Sequence, residues 1–220
     1  PGLFGGSALF NTHRRILTMA MSTTTKLNAI NTMLSAVGEA PVNNLTSVTA
    51  DVRVAESVLD EVSREVQSMP YHFNTVQNVE LAPDSTGQVN LASNVVRVDL
   101  EDDNLSSSHD IVIRGTKLFN RKTNSYNFTQ TLKYTVVSLM EWDFLPEPAK
   151  RYIMIRAARI YQDRVLGSEK ISAFTRGDEM AALVGLRQFE MDTADYSIFD
   201  NYDVARVIDR QSVINRLDRG

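Results

Sequence analysis

The sequence predicts an α+β fold, in which an antiparallel bundle of about four helices carries an inserted antiparallel β domain and an extended C-terminal tail. Two observations predict this class. Apolar residues recur with a helical period in residues 24–68 and 148–191, whereas the period falls to two between residues 78 and 139. The expected parts are an N-terminal extension (1–21), the helical bundle (22–70 and 146–191), the β insertion (71–145) and a C-terminal docking tail (192–220).

The first predicted helix covers residues 24–37 and has a well-marked end. Its apolar face consists of Leu27, Ile30, Leu34 and Val37. Thr23 or Thr24 can cap its start, because a hydroxyl oxygen accepts a hydrogen bond from an unpaired amide of the first turn. Gly38 suits the left-handed conformation that ends many helices, and Pro41 follows it.

The second predicted helix, over residues 51–68, has a longer apolar stripe. The stripe consists of Val54, Ala55, Val58, Leu59, Val62 and Val66. Thr49 or Asp51 can cap the start of this helix, and Pro70 prevents its extension. Because valine lowers intrinsic helix propensity, packing against other helices must stabilise this segment.

Residues 78–139 predict about five short antiparallel strands with one apolar face, because apolar and polar side chains alternate there. The candidates for the apolar face are Val79, Leu81, Val96, Val98, Leu100, Ile111, Ile113, Leu132, Tyr134 and Val136. Turn-forming residues at 84–87, 102–108, 114–115 and 122–125 separate these runs.

The third predicted helix covers residues 148–166, beginning after Pro146 and stopping at Gly167. Apolar residues occupy most of its circumference, which indicates burial on more than one side. Its basic residues are Lys150, Arg151, Arg156, Arg159 and Arg164. These residues cover a solvent-exposed face with their aliphatic stems, or they pair with acidic residues of a neighbouring subunit, or they contact DNA directly.

The fourth predicted helix covers residues 168–191, with Ser168 as its cap, and Gly177 and Gly185 lower its intrinsic stability. Its candidate core residues are Ile171, Phe174, Met180, Leu183, Leu186 and Phe189. Beyond this helix the periodic pattern fades, yet more apolar residues remain than a solvated tail requires, so the tail is expected to dock on its own domain or on a partner. The candidate contact residues are Tyr196, Phe199, Tyr202, Val207 and Ile208.

The N-terminal residues 1–21 differ in character from the rest of the chain. Their glycine-rich start lacks the order of basic residues and then an apolar core that a secretory signal needs. Residues 19–22 (Met-Ala-Met-Ser) have the form of a translation start. Residues 1–18 are therefore expected to be an upstream extension or a remnant of cloning that only a partner would order.

The composition excludes several kinds of chemistry. The chain has no cysteine, which removes disulfides, thiolate nucleophiles and cysteine-ligated zinc. His13, His72 and His109 are too far apart in sequence for two ligands on one helical turn. No apolar run approaches the ~18 residues of a membrane span, and a net charge of −4 does not favour nucleic acid or anionic membranes.

Acidic and serine-containing clusters are expected to be solvated turns. The acidic groups are Glu101 to Asp103, Glu141 with Asp143, and Asp60 with Glu61. A glycosidase holds two carboxylates ~5–10 Å apart across a cleft, whereas adjacent strand residues point to opposite faces. Residues 106–110 contain serine, histidine and aspartate without a nucleophile elbow. No catalytic residue, metal site or cofactor is predicted.

Trp142 and Phe144, at the end of the β region, are a further pair of candidate interface residues. Large rigid aromatic side chains either pack at a corner between a strand and a helix or concentrate the binding energy of a partner contact. Both interpretations stay open at the level of the sequence. Trp142 and Phe144 therefore join the basic residues of the third helix and the five tail residues as candidate interface residues.

Four segments form an ordered set of motifs. Residues 27–42 contain Leu-Asn-Ala-Ile-Asn and Val-Gly-Glu-Ala-Pro-Val, residues 71–74 read Tyr-His-Phe-Asn, residues 113–121 read Ile-Arg-Gly-Thr-Lys-Leu-Phe-Asn-Arg, and residues 145–153 open the third helix. Together they resemble the tail tubular protein A family, the adaptors or gatekeepers of short-tailed bacteriophages. The family's second motif more often begins with Gly-Trp, where this chain has Pro-Tyr, and residues 1–20 match nothing in the family.

This resemblance implies a structural virion protein of the tail, made in the host cytoplasm, with no enzymatic activity. It implies a homo-oligomeric ring, typically of twelve subunits, between the portal protein and a tail nozzle protein of the tail tubular protein B type, with tail fibres as further candidate partners. DNA would pass through the channel without specific binding, and no membrane insertion is implied. The charge of −3 over residues 22–70 and +2 over residues 146–191 would give neighbouring subunits complementary faces.

Two alternatives remain from the sequence alone. The first is a tail-associated enzyme that degrades polysaccharide with carboxylates brought together from the β insertion and its flanks. The second is a small DNA-binding regulator with a dimeric helical core, which would show salt-sensitive retention on DNA. An assay for polysaccharide cleavage and a DNA-binding assay separate these alternatives from a structural adaptor.

Overall fold

The structure is a computed structural model that describes residues 22–46, 49–101, 108–167 and 169–193. The described elements are α1 (Lys26–Ala36), α2 (Ala50–Gln67), β1 (Thr75–Leu81), β2 (Val95–Leu100), β3 (Ile111–Arg114), β4 (Lys117–Asn120), β5 (Leu132–Ser138), α3 (Glu147–Leu166) and α4 (Glu169–Thr193). Short 3-10 turns at His72–Asn74 and Trp142–Phe144 flank the strands. This order confirms the α+β class, whereas residues 1–21 and 194–220 lie outside the described residues.

Threonine side chains begin the first two helices. The hydroxyl of Thr25 accepts a hydrogen bond of 3.1 Å from the amide of Asn28, so the cap of α1 lies one or two residues later than the expected Thr23 or Thr24. The hydroxyl of Thr49, one of the two predicted caps, caps α2 in the same way. Each cap satisfies an amide that has no partner within its own helix.

Left-handed glycines end two of the helices. Gly38 has a φ of 85°, and the amide of Glu39 donates to the carbonyl of Leu34 at 3.0 Å. The amide of Gly38 donates to the carbonyl of Ser35 at 3.1 Å, which completes a Schellman motif. Gly167 ends α3 with a φ of 60°. Both stops were predicted, because glycine adopts positive φ without steric cost.

α3 lies at the centre of the four described helices. α3 packs against α1, α2 and α4, which confirms the prediction that its apolar circumference is buried on more than one side. The shared core contains Ile30, Met33, Leu34, Val58, Leu59, Val62, Leu145, Ile153, Ala157, Tyr161, Ala182 and Leu186, among others. The bundle is therefore held together mainly by apolar burial around one helix.

α4 packs mainly on α3 and differs in detail from its prediction. Leu186 is fully buried and Leu183 packs against the core, as expected. Met180 was expected in the core, but its side chain is 61% exposed, because Ala182 and Leu186 occupy the face that meets α3. The expected cap, Ser168, lies outside the described residues. Gly177 and Gly185 do not interrupt the helix.

The five described strands form two antiparallel sheets. β5 lies between β1 and β2 in one sheet, and β3 pairs with β4 in a separate hairpin. Their common core contains Val89, Val98, Leu118, Phe128, Leu132, Tyr134 and Val136. Val96 was expected on the apolar face but is 36% exposed. An irregularity between Val95 and Arg97 shifts the register of β2, so alternation does not hold across it.

The main chain between the bundle and the sheets is fixed by two buried amide side chains. The Gln67 amide exchanges hydrogen bonds with both backbone groups of Met140, at 2.6 and 3.2 Å. The Asn74 amide donates to the carbonyls of Gln67 and Met69 and accepts from the amide of Tyr71. These contacts place residues 140–145 against the helical core, so the chain rejoins the bundle before α3 begins.

Candidate functional site

The arginines of α3 connect three helices of the same chain. Arg156 contacts Glu65 on α2 at 2.6 Å and Glu179 on α4 at 2.7 Å. Arg159 contacts the same Glu179 and also Asp163. Burial alone would raise the pKa of the Glu179 carboxyl, but hydrogen bonds from Arg159 and Arg156 outweigh burial and lower this pKa. Glu179 is therefore an ionised link between α3 and α4.

The other basic residues of α3 have three different surroundings. Arg164 makes a two-point contact with Glu61 of α2, with both N···O distances at 3.0 Å. Lys150 is 1% exposed and its Nζ donates to the carbonyl of Asp143 at 3.4 Å. Arg151 is exposed. Lys150 thus lies inside the fold, away from any surface stripe, and the charges of Arg156, Arg159 and Arg164 are balanced within one chain.

A cleft of about 530 Å³ lies beside the arginine cluster, between α3 and α4. Its lining residues are Tyr152, Arg156, Arg159, Asp163, Arg176, Glu179, Met180 and Leu183. The carboxylates of Asp163 and Glu179 already bind the guanidinium groups of Arg156 and Arg159 in this cleft. A phosphate or other anion would have to displace these carboxylates, so the cleft is not built for an anion.

Trp142 makes its contacts within its own chain. Its indole nitrogen donates to the carbonyl of Thr24 at 2.9 Å, and its ring packs against the helical core. The carboxylate of Glu147 accepts hydrogen bonds from the backbone and the hydroxyl of Thr24. Trp142 and Glu147 therefore hold the segment that precedes α1 against the start of α3.

Phe144 lies at an apolar cleft and is the most exposed large apolar side chain of the described residues, at 69%. The cleft of about 400 Å³, here named the junction cleft, lies where the bundle meets the three-stranded sheet. Its lining residues are Phe73, Asn74, Val76, Asn94, Ser138, Leu139, Met140, Glu141 and Phe144. Exposed apolar surface of this kind is typical of a contact with another protein.

The second exposed apolar surface lies on α4. Met180, Val184 and Met191 are 61%, 56% and 60% exposed, and spacings of four and seven residues place them on one side of the helix. This surface is named the α4 outer face. Sequence reasoning missed it because Met180 was assigned to the core. The available signal was that the apolar residues of α4 fall on two opposite sides of the helix.

A sequence model of the tail tubular protein family matches residues 27–196, which span α1 from its second residue through the whole of α4. The match includes the four resembling segments and both core clusters. The chain belongs to the tail tubular protein family. It is a structural component of the phage tail in the virion. No curated protein matches the chain closely enough to add to this assignment.

The carboxylates considered for an enzymatic role have structural contacts in this member of the tail tubular protein family. Asp60 pairs with Lys26, and Glu61 pairs with Arg164. The hydroxyl of Thr135 and the amide of Asn78 donate to Glu101 and lower the pKa of its carboxyl. A general acid needs the opposite shift. Asp102 and Asp103 lie outside the described residues, and Glu141 and Asp143 are exposed beside Trp142.

The serine-rich turn does not assemble a triad in its described part. The hydroxyl of Ser108 lies 2.8 Å from Nδ1 of His109. The carboxylate of Asp110, however, contacts Arg121 at 3.5 Å. In a triad the acid orients the histidine, so this arrangement lacks that element. Ser106 and Ser107 lie outside the described residues.

The described residues offer neither a metal-binding cluster nor a helix that could span a membrane. The described residues contain no group of three His, Cys, Asp or Glu side chains that could hold a metal ion. None of their helices is both long and apolar enough to span a bilayer. The expected tail contacts lie outside the described residues, so their role stays a prediction. These contacts are Tyr196, Phe199, Tyr202, Val207 and Ile208.

Proposed function

We propose that this chain is the ring-forming adaptor that joins the capsid portal to the tail nozzle and encloses part of the DNA ejection channel. Membership of the tail tubular protein family supports a structural role in the tail. The observation that carries the finer proposal is that, among the described residues, a subunit exposes apolar side chains both at the junction cleft and on the α4 outer face. A closed ring of identical subunits needs two different surfaces on each subunit.

Charge pairing within the subunit suits a channel through which DNA passes without specific binding. Arg156, Arg159 and Arg164 each contact a carboxylate of their own chain. Affinity for nucleic acid grows with the number of phosphates that basic side chains neutralise. A subunit with a net charge of −4 and paired arginines would therefore hold passing DNA weakly.

The tail residues beyond α4 would provide the contact with the portal or with an adjacent subunit. Their apolar members are too sparse to form a core of their own, and they follow directly after Thr193. Segments of this kind fold upon a partner surface. In this proposal five residues of this segment make contacts in the assembled tail: Tyr196, Phe199, Tyr202, Val207 and Ile208.

Sedimentation velocity of the full chain, alone and mixed with purified portal protein, tests the proposal. We expect a particle of many subunits whose formation is promoted by the portal, or a ring that binds the portal directly. The matched control is the same mixture with the chain truncated after residue 193, which should lose portal binding while its helical circular dichroism remains. A strictly monomeric chain in the presence of the portal would contradict the adaptor function.

A further inference from the structure

The side chains of the α4 outer face are more than half exposed in the described part of the chain. α4 packs on α3 through Ala182 and Leu186, which are buried. Val184 and Met191 are more than half exposed, and Met180, also more than half exposed, lies at the edge of the cleft between α3 and α4. A helix at a water-exposed surface normally carries polar residues on its outer side. Three large apolar side chains, each more than half exposed, indicate that this side meets another surface in the assembled protein.

The junction cleft is concave, whereas the α4 outer face is a convex ridge of side chains on a helix. The cleft has five aromatic or aliphatic lining residues, of which Phe73 and Met140 are partly buried, and four polar ones. Val76 and Phe144, at 60% and 69% exposed, add apolar surface to the same site. Glu141, an exposed acidic residue, lines it as well. An apolar concavity with one carboxylate beside it fits an apolar ridge that carries one basic residue.

We infer that the α4 outer face of one subunit docks into the junction cleft of a second copy of this chain. Methionine side chains are unbranched and flexible, so Met180 and Met191 can fill an irregular cleft and contact phenylalanine rings through sulfur. Arg187 is exposed and lies three residues after Val184 and four before Met191, on the same side of α4. In the docked pair it would oppose Glu141 of the cleft.

A second copy is the occupant because the two surfaces complement each other in shape and in charge. They lie on different elements of the subunit, so the contact joins unlike surfaces and repeats from one copy to the next. Repetition of one such contact generates a ring when the rotation closes. The inference rests on the proposed function and names the pair of surfaces by which neighbouring subunits meet.

Cysteine cross-linking of the full chain tests the inference directly, because the natural sequence has no cysteine. Val184→Cys and Phe144→Cys would be made as separate single variants, one with an added size tag, and mixed under oxidising conditions. We expect a disulfide product that contains one tagged and one untagged subunit. The matched control replaces Val184→Cys by Val54→Cys on α2. Val54 was expected in the apolar stripe of α2 but is 47% exposed, and this variant should give at least about tenfold less product.

Three results would overturn the inference. Rings that form without the mixed product would show that other surfaces join the subunits, and the proposed function would survive. A product of Val184→Cys with itself would show that two α4 helices pair symmetrically. An unreactive Val184→Cys thiol in the isolated subunit would show that residues 194–220 of the same chain cover α4. The mixed product in the absence of closed rings would support the inference and contradict the proposed function.

Charge reversal provides a second measurement that does not depend on cysteine chemistry. Arg187→Glu should reduce the amount of assembled particle about tenfold at a fixed subunit concentration, because it opposes two negative charges. Adding Glu141→Arg to the same chain should restore assembly, since the pair is then reversed in both subunits. Failure of the double variant to recover, with both single variants folded by circular dichroism, would contradict the pairing of Arg187 with Glu141.

Discussion

Three amide side chains hold stretches of main chain that lie outside helices and strands. Asn31 of α1 exchanges two hydrogen bonds with the backbone of Val42, at 2.9 and 2.8 Å. Gln67 does the same with Met140, and Asn74 spans the turn after α2. A carboxamide offers a donor and an acceptor side by side, so it can replace the missing partner of an irregular segment. The motifs at residues 27–42 and 71–74 therefore contain polar residues with a structural role.

Asn74→Ala is expected to lower the free energy of unfolding by about 2–4 kcal/mol, because buried backbone groups lose their partners. The side chain is 3% exposed and bonds to Gln67, Met69 and Tyr71. Chemical denaturation measures the loss. Asn43→Ala, at an exposed position, is the matched control and should change stability by less than about 0.5 kcal/mol. Equal stability of the two variants would contradict the assigned role of Asn74.

Glu179→Gln is expected to destabilise the chain by about 1–2 kcal/mol at neutral pH, because Arg156 and Arg159 lose the carboxylate they share. The folded pKa of Glu179 lies below its ordinary value of 4.5. Its contribution to stability is therefore present above pH 4.5 and is lost as the pH falls through the lowered folded pKa. Denaturation curves at several pH values should show the variant and the natural protein converging in acid.

The control for this variant is Glu61→Gln, which alters an exposed ion pair with Arg164. Both side chains of that pair are about half exposed, so water and salt screen the interaction and a smaller loss is expected. A loss at Glu61 equal to the loss at Glu179 would contradict the view that the buried cluster joins α4 to the bundle.

At the scale of the elements, helical periodicity and end signals predicted the four helices well. Thr49, Gly38 and Gly167 mark the ends where the sequence placed them, because capping depends on a few neighbouring atoms. The assignment of Met180 to the core failed, since periodicity locates an apolar side of α4 without showing which side meets α3. The division of the strands into two sheets also escaped prediction, because pairing of distant strands depends on contacts between them.

Gly38→Ala and Gly177→Ala are expected to change stability in opposite directions. Gly38 has a positive φ, so an alanine there is strained and should cost about 1 kcal/mol, although nothing lies within 4 Å of the added methyl group. Gly177 lies within α4, also with open space around it, so alanine should stabilise the helix by about 0.5–1 kcal/mol. Thermal unfolding measures both, and a stabilising Gly38→Ala would contradict the capping role of Gly38.

At the scale of the whole molecule, only some of the candidate interface residues could be predicted from the sequence. Phe144 was predicted as an interface residue and is exposed. Lys150 and Trp142 were predicted as interface residues too, but they donate hydrogen bonds to carbonyls of their own chain. Intrachain pairing of Arg156 could not be foreseen, because its partners Glu65 and Glu179 lie on helices far away in sequence. A basic residue on a predicted helix does not show which element it faces until the helices are packed.

The full chain is expected to bind DNA weakly, with no retention on duplex DNA at about 150 mM salt. The reason is that Arg156, Arg159 and Arg164 of α3 are paired within the subunit. A double variant with Glu61→Lys and Glu65→Lys removes carboxylates from Arg164 and Arg156 and should gain salt-dependent retention in a filter-binding assay. Strong, salt-sensitive retention of the natural chain would contradict the passive channel and favour a DNA-binding regulator.

Cryo-electron microscopy of the assembled phage tail at subunit resolution tests the central claim most directly. The account predicts a closed ring of copies of this chain between the portal and the nozzle, with DNA on its axis and each subunit meeting its two neighbours through different surfaces. Isolated copies on the outside of the tail, away from the path of the DNA, would contradict it.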